Sequence, residues 1–335
     1  MSYDNNVSNQ AIHCNPSDYQ YSYAKNVGGF TLIELMVSLV LGLLISAAVI
    51  QIYVVNTRTL TIQQSASEVQ DSSIFALQAL EDHVRLANLG NPITSINDKS
   101  DHGGIVLTPT NLGTANSGSN AIDTKYLTNS AGSAGWTGVS NIANIASDQL
   151  TIQYKNLTPN SLYDCEGTEV TSGSDSWVVE RYFVRLATGA TANTGGIQDL
   201  VLACAAGRVS NNGAVTTAFT GNGEVIIAGL DQFKVLLGTQ VGIDKLTYLA
   251  PNIYLTLTEK PSITTIKLGA IVRSSTPLIT NADQSSFSLL GTEQNLKTDA
   301  SRSKYYRRSY ETTVLLRNAR VMQVVATAPK TTPIT

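Results

Sequence analysis

The run FTLIELMVSLVLGLLISAAVIQIYVV, from Phe30 to Val55, holds one formal charge, Glu34, in 26 residues. At 1.5 Å rise per residue a hydrocarbon core of ~30 Å takes about 20 residues, so the run is long enough to cross a bilayer as a helix. A polar 29-residue prefix comes first, and Gly28-Gly29 sits directly before the apolar stretch. A secretory signal has the opposite order, with a basic start, a short apolar region and then the cleavage site. Cys14 has no apolar segment ahead of it and is a poor lipoprotein anchor. The prefix sets Lys25 against Asp4 and Asp18, so its charge barely orients the span. Glu34 has two readings. A carboxylate within the span costs roughly 2.5 to 3.5 kcal/mol and calls for a partner, whereas four residues after Phe30 it can also rest at headgroup depth.

Working outward, Ile62, Ala66, Val69, Ser73, Leu77, Leu80, Val84 and Ala87 recur at spacings of three and four. Arg58, Gln63, Gln70, Asp71 and Asp82 fall mostly on the other side, the pattern of an amphipathic helix. Stop signals at Asn88 to Gly90, before Pro92, close it. Unbroken, Phe30 to Leu89 is one helix with lipid or other subunits around its first half and its own domain on its second. The heptad pattern is too short for a coiled-coil stalk.

The remainder of the 335 residues reads as β-rich. Strands are expected at Gly104 to Thr108, Gln149 to Lys155, Trp177 to Leu186, Leu200 to Cys204, Glu224 to Leu237, Leu246 to Leu257, Ile263 to Arg273 and Tyr310 to Leu316. They are rich in Val, Ile, Thr and Tyr and bounded by Gly, Asn, Ser and Pro. Long polar loops separate them, notably 112 to 147, 187 to 197 and 207 to 223. The expected organisation is residues 1–29 as a leader, 30–55 and 56–90 as two helix halves, and 91–335 as the β-rich domain.

With 22 basic and 25 acidic side chains, the net charge is −3, and charged residues make up 14% against a typical ~25%. Electrostatic capture of nucleic acid by the whole molecule is therefore not expected. At 42% hydrophobic the chain is no disordered polymer. Cys14, Cys165 and Cys204 form no CxxC pair, and with His13, His83 and His102 they make no short-spaced zinc cluster. No GxSxG, P-loop or HExxH is present, so His83 and His102 support no catalysis. Glycine-rich runs such as Gly132 to Gly138 do not link a strand to a helix and are not phosphate cradles. Asp98, Asp101, Asp164, Glu166 and Asp175 lack calcium-loop spacing and read as solvated loop residues. Lys304, Tyr305, Tyr306, Arg307, Arg308, Tyr310, Arg317 and Arg320 interleave bases with aromatics. They read as the solvated face of a terminal strand or a contact with an acidic partner, ahead of nucleic-acid binding. No catalytic residue, metal or cofactor is expected.

The string GGFTLIELMVSLVLG, residues 28–42, resembles the leader-peptide junction of type IV prepilins and type II secretion pseudopilins. SDQLTIQY at 147–154, WVVERYFV at 177–184, IKLGAIVRSS at 266–275 and RRSYETTVLLRN at 307–318 are similar to the minor pilin family PilW. The resemblance covers most of the chain from Gly28 onward, although the prefix is longer and less basic than most such leaders. It implies an α+β, type IV pilin-like fold, a long helix packed on an antiparallel sheet. It also implies that a prepilin peptidase cuts between Gly29 and Phe30 and methylates the new amino terminus. Glu34 would then pair with that amine on a neighbouring subunit, an attraction that grows as the effective dielectric falls. Cleavage removes Cys14 and leaves Cys165 and Cys204, an even pair in an oxidising periplasm, as a disulfide.

The implied function is that of a structural, non-enzymatic minor pilin in a tip complex that primes pilus assembly and supports twitching, adhesion or DNA uptake. Its implied partners are other minor pilins, the major pilin, the inner-membrane assembly platform and, before assembly, membrane lipid. The chain would sit in the inner membrane with its amino terminus cytoplasmic, then pass to the extracellular pilus tip. The nearest rival is a minor pseudopilin of a type II secretion system. A rival of another class is a periplasmic adhesin or enzyme tethered by one span, which predicts an uncut amino terminus.

Overall fold

The computed structural model describes residues 28–131, 138–192, 195–241, 245–278, 284–299, 304–316 and 319. Cys14, Lys25, His13, the glycine run before Gly138, Arg317 and Arg320 lie outside the described residues.

One helix, α1, runs from Leu32 to Leu86, 55 residues. No proline falls between its ends, and its backbone bonds are satisfied internally. It stops three residues before the end read from the sequence. Asn88 takes a positive φ of 67° and Gly90 one of 80°, a left-handed geometry that cannot propagate a helix. Asn88 then ties the exit down, its Oδ1 accepting from Gly104 N at 3.0 Å and its backbone N–H donating to Gln153 O at 3.0 Å.

The chain forms two compact units, residues 1–55 and 56–335. In the first, α1 is apolar all round, with an 18-residue window of mean hydropathy 2.5 that is nowhere buried. At 1.5 Å per residue, its 24 helical residues reach ~36 Å, enough for a bilayer core.

In the second unit the strands in chain order are β1 (Leu150–Tyr154), β2 (Leu162–Tyr163), β3 (Glu169–Val170), β4 (Ser176–Leu186), β5 (Leu200–Ser210), β6 (Val215–Thr217), β7 (Glu224–Ala228), β8 (Leu230–Val241), β9 (Lys245–Leu249), β10 (Ile263–Leu278), β11 (Ser286–Leu289), β12 (Thr292–Asn295) and β13 (Lys304–Leu315). A short helix, α2 (Pro251–Thr256), follows β9. All pairings are antiparallel. One sheet has the order β1-β4-β5-β6 with β7 also on β5, and the other β13-β10-β8-β9. Among the described residues two small hairpins, β2-β3 and β11-β12, complete the set.

The second half of α1 and both sheets share one core. Val69, Leu77, Leu80, Val84 and Ala87 pack with Leu150, Ile152, Tyr182 and Leu202 of the first sheet and Phe233, Val235, Ile266 and Val314 of the second. Each fully buried aliphatic of this stripe stabilises by about 1.5 to 3 kcal/mol. Ile62, expected on the stripe, is 40% exposed, because the packed face begins only at Ser65.

Several strand readings are corrected. Glu224 to Leu237 is two strands in different sheets. Gly229 breaks it with φ 67°, and a Cβ there would lie 2.8 Å from Arg273 O. Leu246 to Leu257 is a strand up to Leu249 and then α2. Pro251 has no N–H for a ladder but suits the first helical turn, which overrides the alternation of Ile253, Leu255 and Leu257. Gly104 to Thr108 keeps one isolated bridge, Ile105 to Ile152, and bends into a 3-10 turn at Pro109. β5 runs to Ser210 and β13 starts at Lys304, both further than their apolar patterns suggest.

Candidate functional site

In the first unit, Gly28, Gly29 and Phe30 form the exposed, non-helical approach to α1. Neither glycine has a positive φ, and a Cβ built on either meets nothing within 4 Å. The fold itself therefore gives no reason for glycine at these two positions. Phe30 is 77% exposed. Thr31 is the residue before the helix, and its Oγ1 accepts from Glu34 N at 3.3 Å. The order Thr31-Leu32-Ile33-Glu34 is the sequence of a capping box, and an acid in the first turn also complements the helix dipole. Glu34 thus has a local task at the head of the helix, which its spacing from Thr31 already signals.

In the second unit the chemistry gathers where α1, the β2-β3 turn, β4 and β5 meet. Register places Tyr182 of β4 opposite Cys204 of β5 and Glu180 opposite Ala206, so Glu180, Tyr182 and Cys204 share the sheet face that meets α1. Glu180 has no exposed side-chain surface. Its carboxylate accepts from Tyr154 Oη at 2.9 Å, Tyr182 Oη at 2.7 Å and Cys165 N at 3.0 Å, and both of its oxygens lie 3.1 Å from His83 Nδ1. A buried carboxylate persists because it is paired and fully bonded, and here four donors converge on it.

Burial by itself pulls the His83 pKa down, but the hydrogen bond and charge of Glu180, with Asp164 and Asp82 behind it, outweigh that and raise it above 6.5. Burial, then the Glu180 charge, pushes both tyrosines up, so they stay protonated donors. Cys165, in the turn between β2 and β3, is disulfide-bonded to Cys204, with Cα atoms 6.2 Å apart. That spacing is ordinary for a disulfide. Asp164, one residue earlier, receives Arg208 Nη2 at 2.6 Å. A recess of about 280 Å³ lined by Asp82, His83, Arg85, Leu86, Leu162 and Tyr163 brings solvent to His83.

The other sequence candidates do not converge. Among the acids considered for calcium, Asp164 is bound by Arg208, Asp98 stands 3.9 Å from Lys260, and Asp175 stands 3.9 Å from Lys155. The basic and aromatic segment is not one solvated face. Arg307 is buried against Asp231 at 2.6 Å, while Arg308 lies over the Tyr310 ring. His102 stacks on Trp177 and contacts Asn211 O at 2.9 Å, a packing role.

The family model described as type IV pilus-assembly protein W matches residues 181–318, which include Glu180's neighbours on β4, all of β5 and the β8-β10-β13 ladder. The prokaryotic N-terminal methylation motif matches residues 24–50. These two matches make the chain similar to type IV pilins and, over residues 181–318, to the PilW family.

A solved structure similar to this chain is a type IV-like pilin from Thermus thermophilus, 13% identical over 55% of this chain and 85% of that one, with a TM-score of 0.30. No curated protein matches. The methylation motif and the apolar helix behind it support membrane anchoring of the chain.

Proposed function

We propose that this chain is a minor pilin that primes pilus assembly within a tip complex. A prepilin peptidase cuts it between Gly29 and Phe30 and methylates Phe30. The apolar half of α1 then leaves the inner membrane, through the assembly platform, for a fibre core shared with other minor pilins and the major pilin. Glu34 meets the amine of a neighbouring Phe30 there, and the surrounding apolar side chains lower the dielectric that would otherwise weaken the pairing. The β-rich part stays outside the core as the face shown to other minor pilins.

One observation carries the reading: two exposed glycines with no conformational or steric need to be glycine stand immediately before an apolar stretch, Phe30 to Val55, whose first helical turn holds its single acid. A protease that threads backbone through a narrow cleft supplies the missing reason for them. A globular part of 245 residues beyond residue 90 is bulky for a repeating shaft and suits a scarce subunit.

Mass spectrometry of the protein recovered from membranes tests this. The expected amino terminus is methylated Phe30, and an intact prefix on functional protein overturns the proposal. Labelled protein decorating fibres uniformly, at levels near the major subunit, would overturn the tip assignment while sparing the cleavage.

A further inference from the structure

The cluster around Glu180 holds a second possibility that the disulfide conceals. Cys165 Sγ, Cys204 Sγ and a Glu180 carboxylate oxygen all lie within 4.8 Å of one another, and His83 Nδ1 stands 3.1 Å from that carboxylate. We propose that with its disulfide reduced this chain binds one zinc-class divalent ion through Cys165, Cys204 and Glu180, with His83, which lies outside that close group but 3.1 Å from the carboxylate, swinging in as the fourth ligand.

The donor set fits the chemistry. Two thiolates, an imidazole and a carboxylate make a four-coordinate shell of the kind that zinc accepts, and soft sulfur disfavours magnesium and calcium. Zn–S bonds of ~2.3 Å set the two sulfurs about 3.8 Å apart in a tetrahedron, within reach of side-chain rotation from Cα atoms 6.2 Å apart. The outer shell is already built, since Tyr154 and Tyr182 each donate to the carboxylate and fix its orientation. Glu180 also removes the need for a third sulfur to offset the ion's charge. His83 lines one way in. Its side chain is 23% exposed and lines the solvent recess, whereas Glu180 and Cys204 are buried and Cys165 is half-buried.

Four separate elements supply these ligands: α1, the β2-β3 turn, β4 and β5. A bound ion would fasten the same turn to β5 as the disulfide does and would add α1 to the clasp. The two states exclude each other. Loading converts two thiols to thiolates and releases two protons. Oxidation by a disulfide such as oxidised glutathione takes two electrons from those thiolates, forms the Cys165–Cys204 bond, breaks the glutathione S–S bond into two thiolates that take up two protons from solvent, and expels the ion. Oxidation and metal loading thus compete for the same sulfurs while a chain is newly exposed to an oxidising compartment.

The test uses the full chain in detergent carrying Cys14→Ser, which removes the third thiol, reduced with a phosphine and titrated with Co²⁺ and then Zn²⁺. The expected result is one Co²⁺ per chain with a thiolate charge-transfer band and strong tetrahedral visible bands, displaced by Zn²⁺. Oxidised protein should bind none at that site. Adding oxidised glutathione to the zinc form should release one ion per disulfide formed, and zinc should slow that oxidation at least several-fold.

His83→Gln leaves the disulfide framework in place, so it is the second variant. It should weaken binding on the order of tenfold or more while the thiolate band persists. No binding by the reduced chain, equal binding by the oxidised chain, or a spectrum unchanged in Cys165→Ser would each overturn the proposal.

Discussion

Glu180, sealed from solvent at the centre of β4, is shared by His83 from α1 and by two tyrosines from its own sheet, so one carboxylate joins the helix to the sheet beneath it. The His83 pKa is raised in the folded chain, so the folded state binds its proton more tightly than the unfolded one. The stabilisation is therefore fully present below about 6.5 and is lost as pH rises through the folded value. His83→Gln should cost about 1 kcal/mol at pH 6, a modest figure because the ring is partly exposed, and progressively less towards pH 9. Urea midpoints of the two proteins across that range check it, and a gap that widens with pH would contradict it.

Asp148 gives a slope elsewhere. Burial, opposed by Lys234 at 2.5 Å and by backbone donors, lifts its pKa from 3.8 to about 6. A carboxyl raised in this way favours folding while protonated. Its contribution is present below about 3.8 and is lost as pH climbs through about 6. Asp148→Asn retains an acceptor for Val235 N, which donates to Asp148 at 2.9 Å. Between pH 4 and 6.5, the wild-type denaturation midpoint should fall relative to that of the variant. Parallel curves would remove Asp148 as the cause.

Much of this was legible because of period. The three-and-four recurrence from Val69 to Val84 marks the face that is buried, and Phe30 to Val55 announces a span by length and composition alone. What escaped depends on single residues that outweigh a pattern. Pro251 turns an alternating segment into helix, and Gly229 carries the chain from one sheet to the other. The Glu180 cluster escaped for a different reason. His83 and Glu180 are 97 residues apart, and nothing local shows that α1 lies over β4 at that register. A faint signal existed, since Glu180 is an acid inside the apolar run WVVERYFV. Arg307 looks solvated in sequence as a cation among tyrosines, and only the fold places Asp231 beneath it.

Gly223 and Gly173 separate two ways in which glycine can be required. Both have a left-handed backbone, with φ of 62° and 69°. A Cβ on Gly173 meets nothing within 4 Å, whereas one on Gly223 would lie 2.1 Å from Cys204 O. Gly173→Ala should cost the conformational penalty alone, about 1 kcal/mol. Gly223→Ala must also push β7 off β5 beside the disulfide, for a total of about 3 kcal/mol or more. Thermal melts of the two variants decide this, and equal losses would show that backbone conformation alone governs both positions.

Glu34 serves the helix locally, yet its proposed role is intermolecular, and substitutions can divide the two. Glutamine in the third helical position still fits a capping box with Thr31 but carries no charge. If Glu34 acts only at the helix end, Glu34→Gln should leave pilus assembly intact, and Thr31→Ala should be the damaging change, weakening the cap by ~1 kcal/mol. If its charge meets the amine of a neighbouring Phe30, Glu34→Gln should abolish surface pili while the protein remains processed and membrane-inserted, and Thr31→Ala should be mild. The second outcome is expected, because a 55-residue helix with an apolar first half does not depend on one cap for its stability. Counting pili on cells that carry each variant, beside immunoblots for processing, distinguishes the two outcomes.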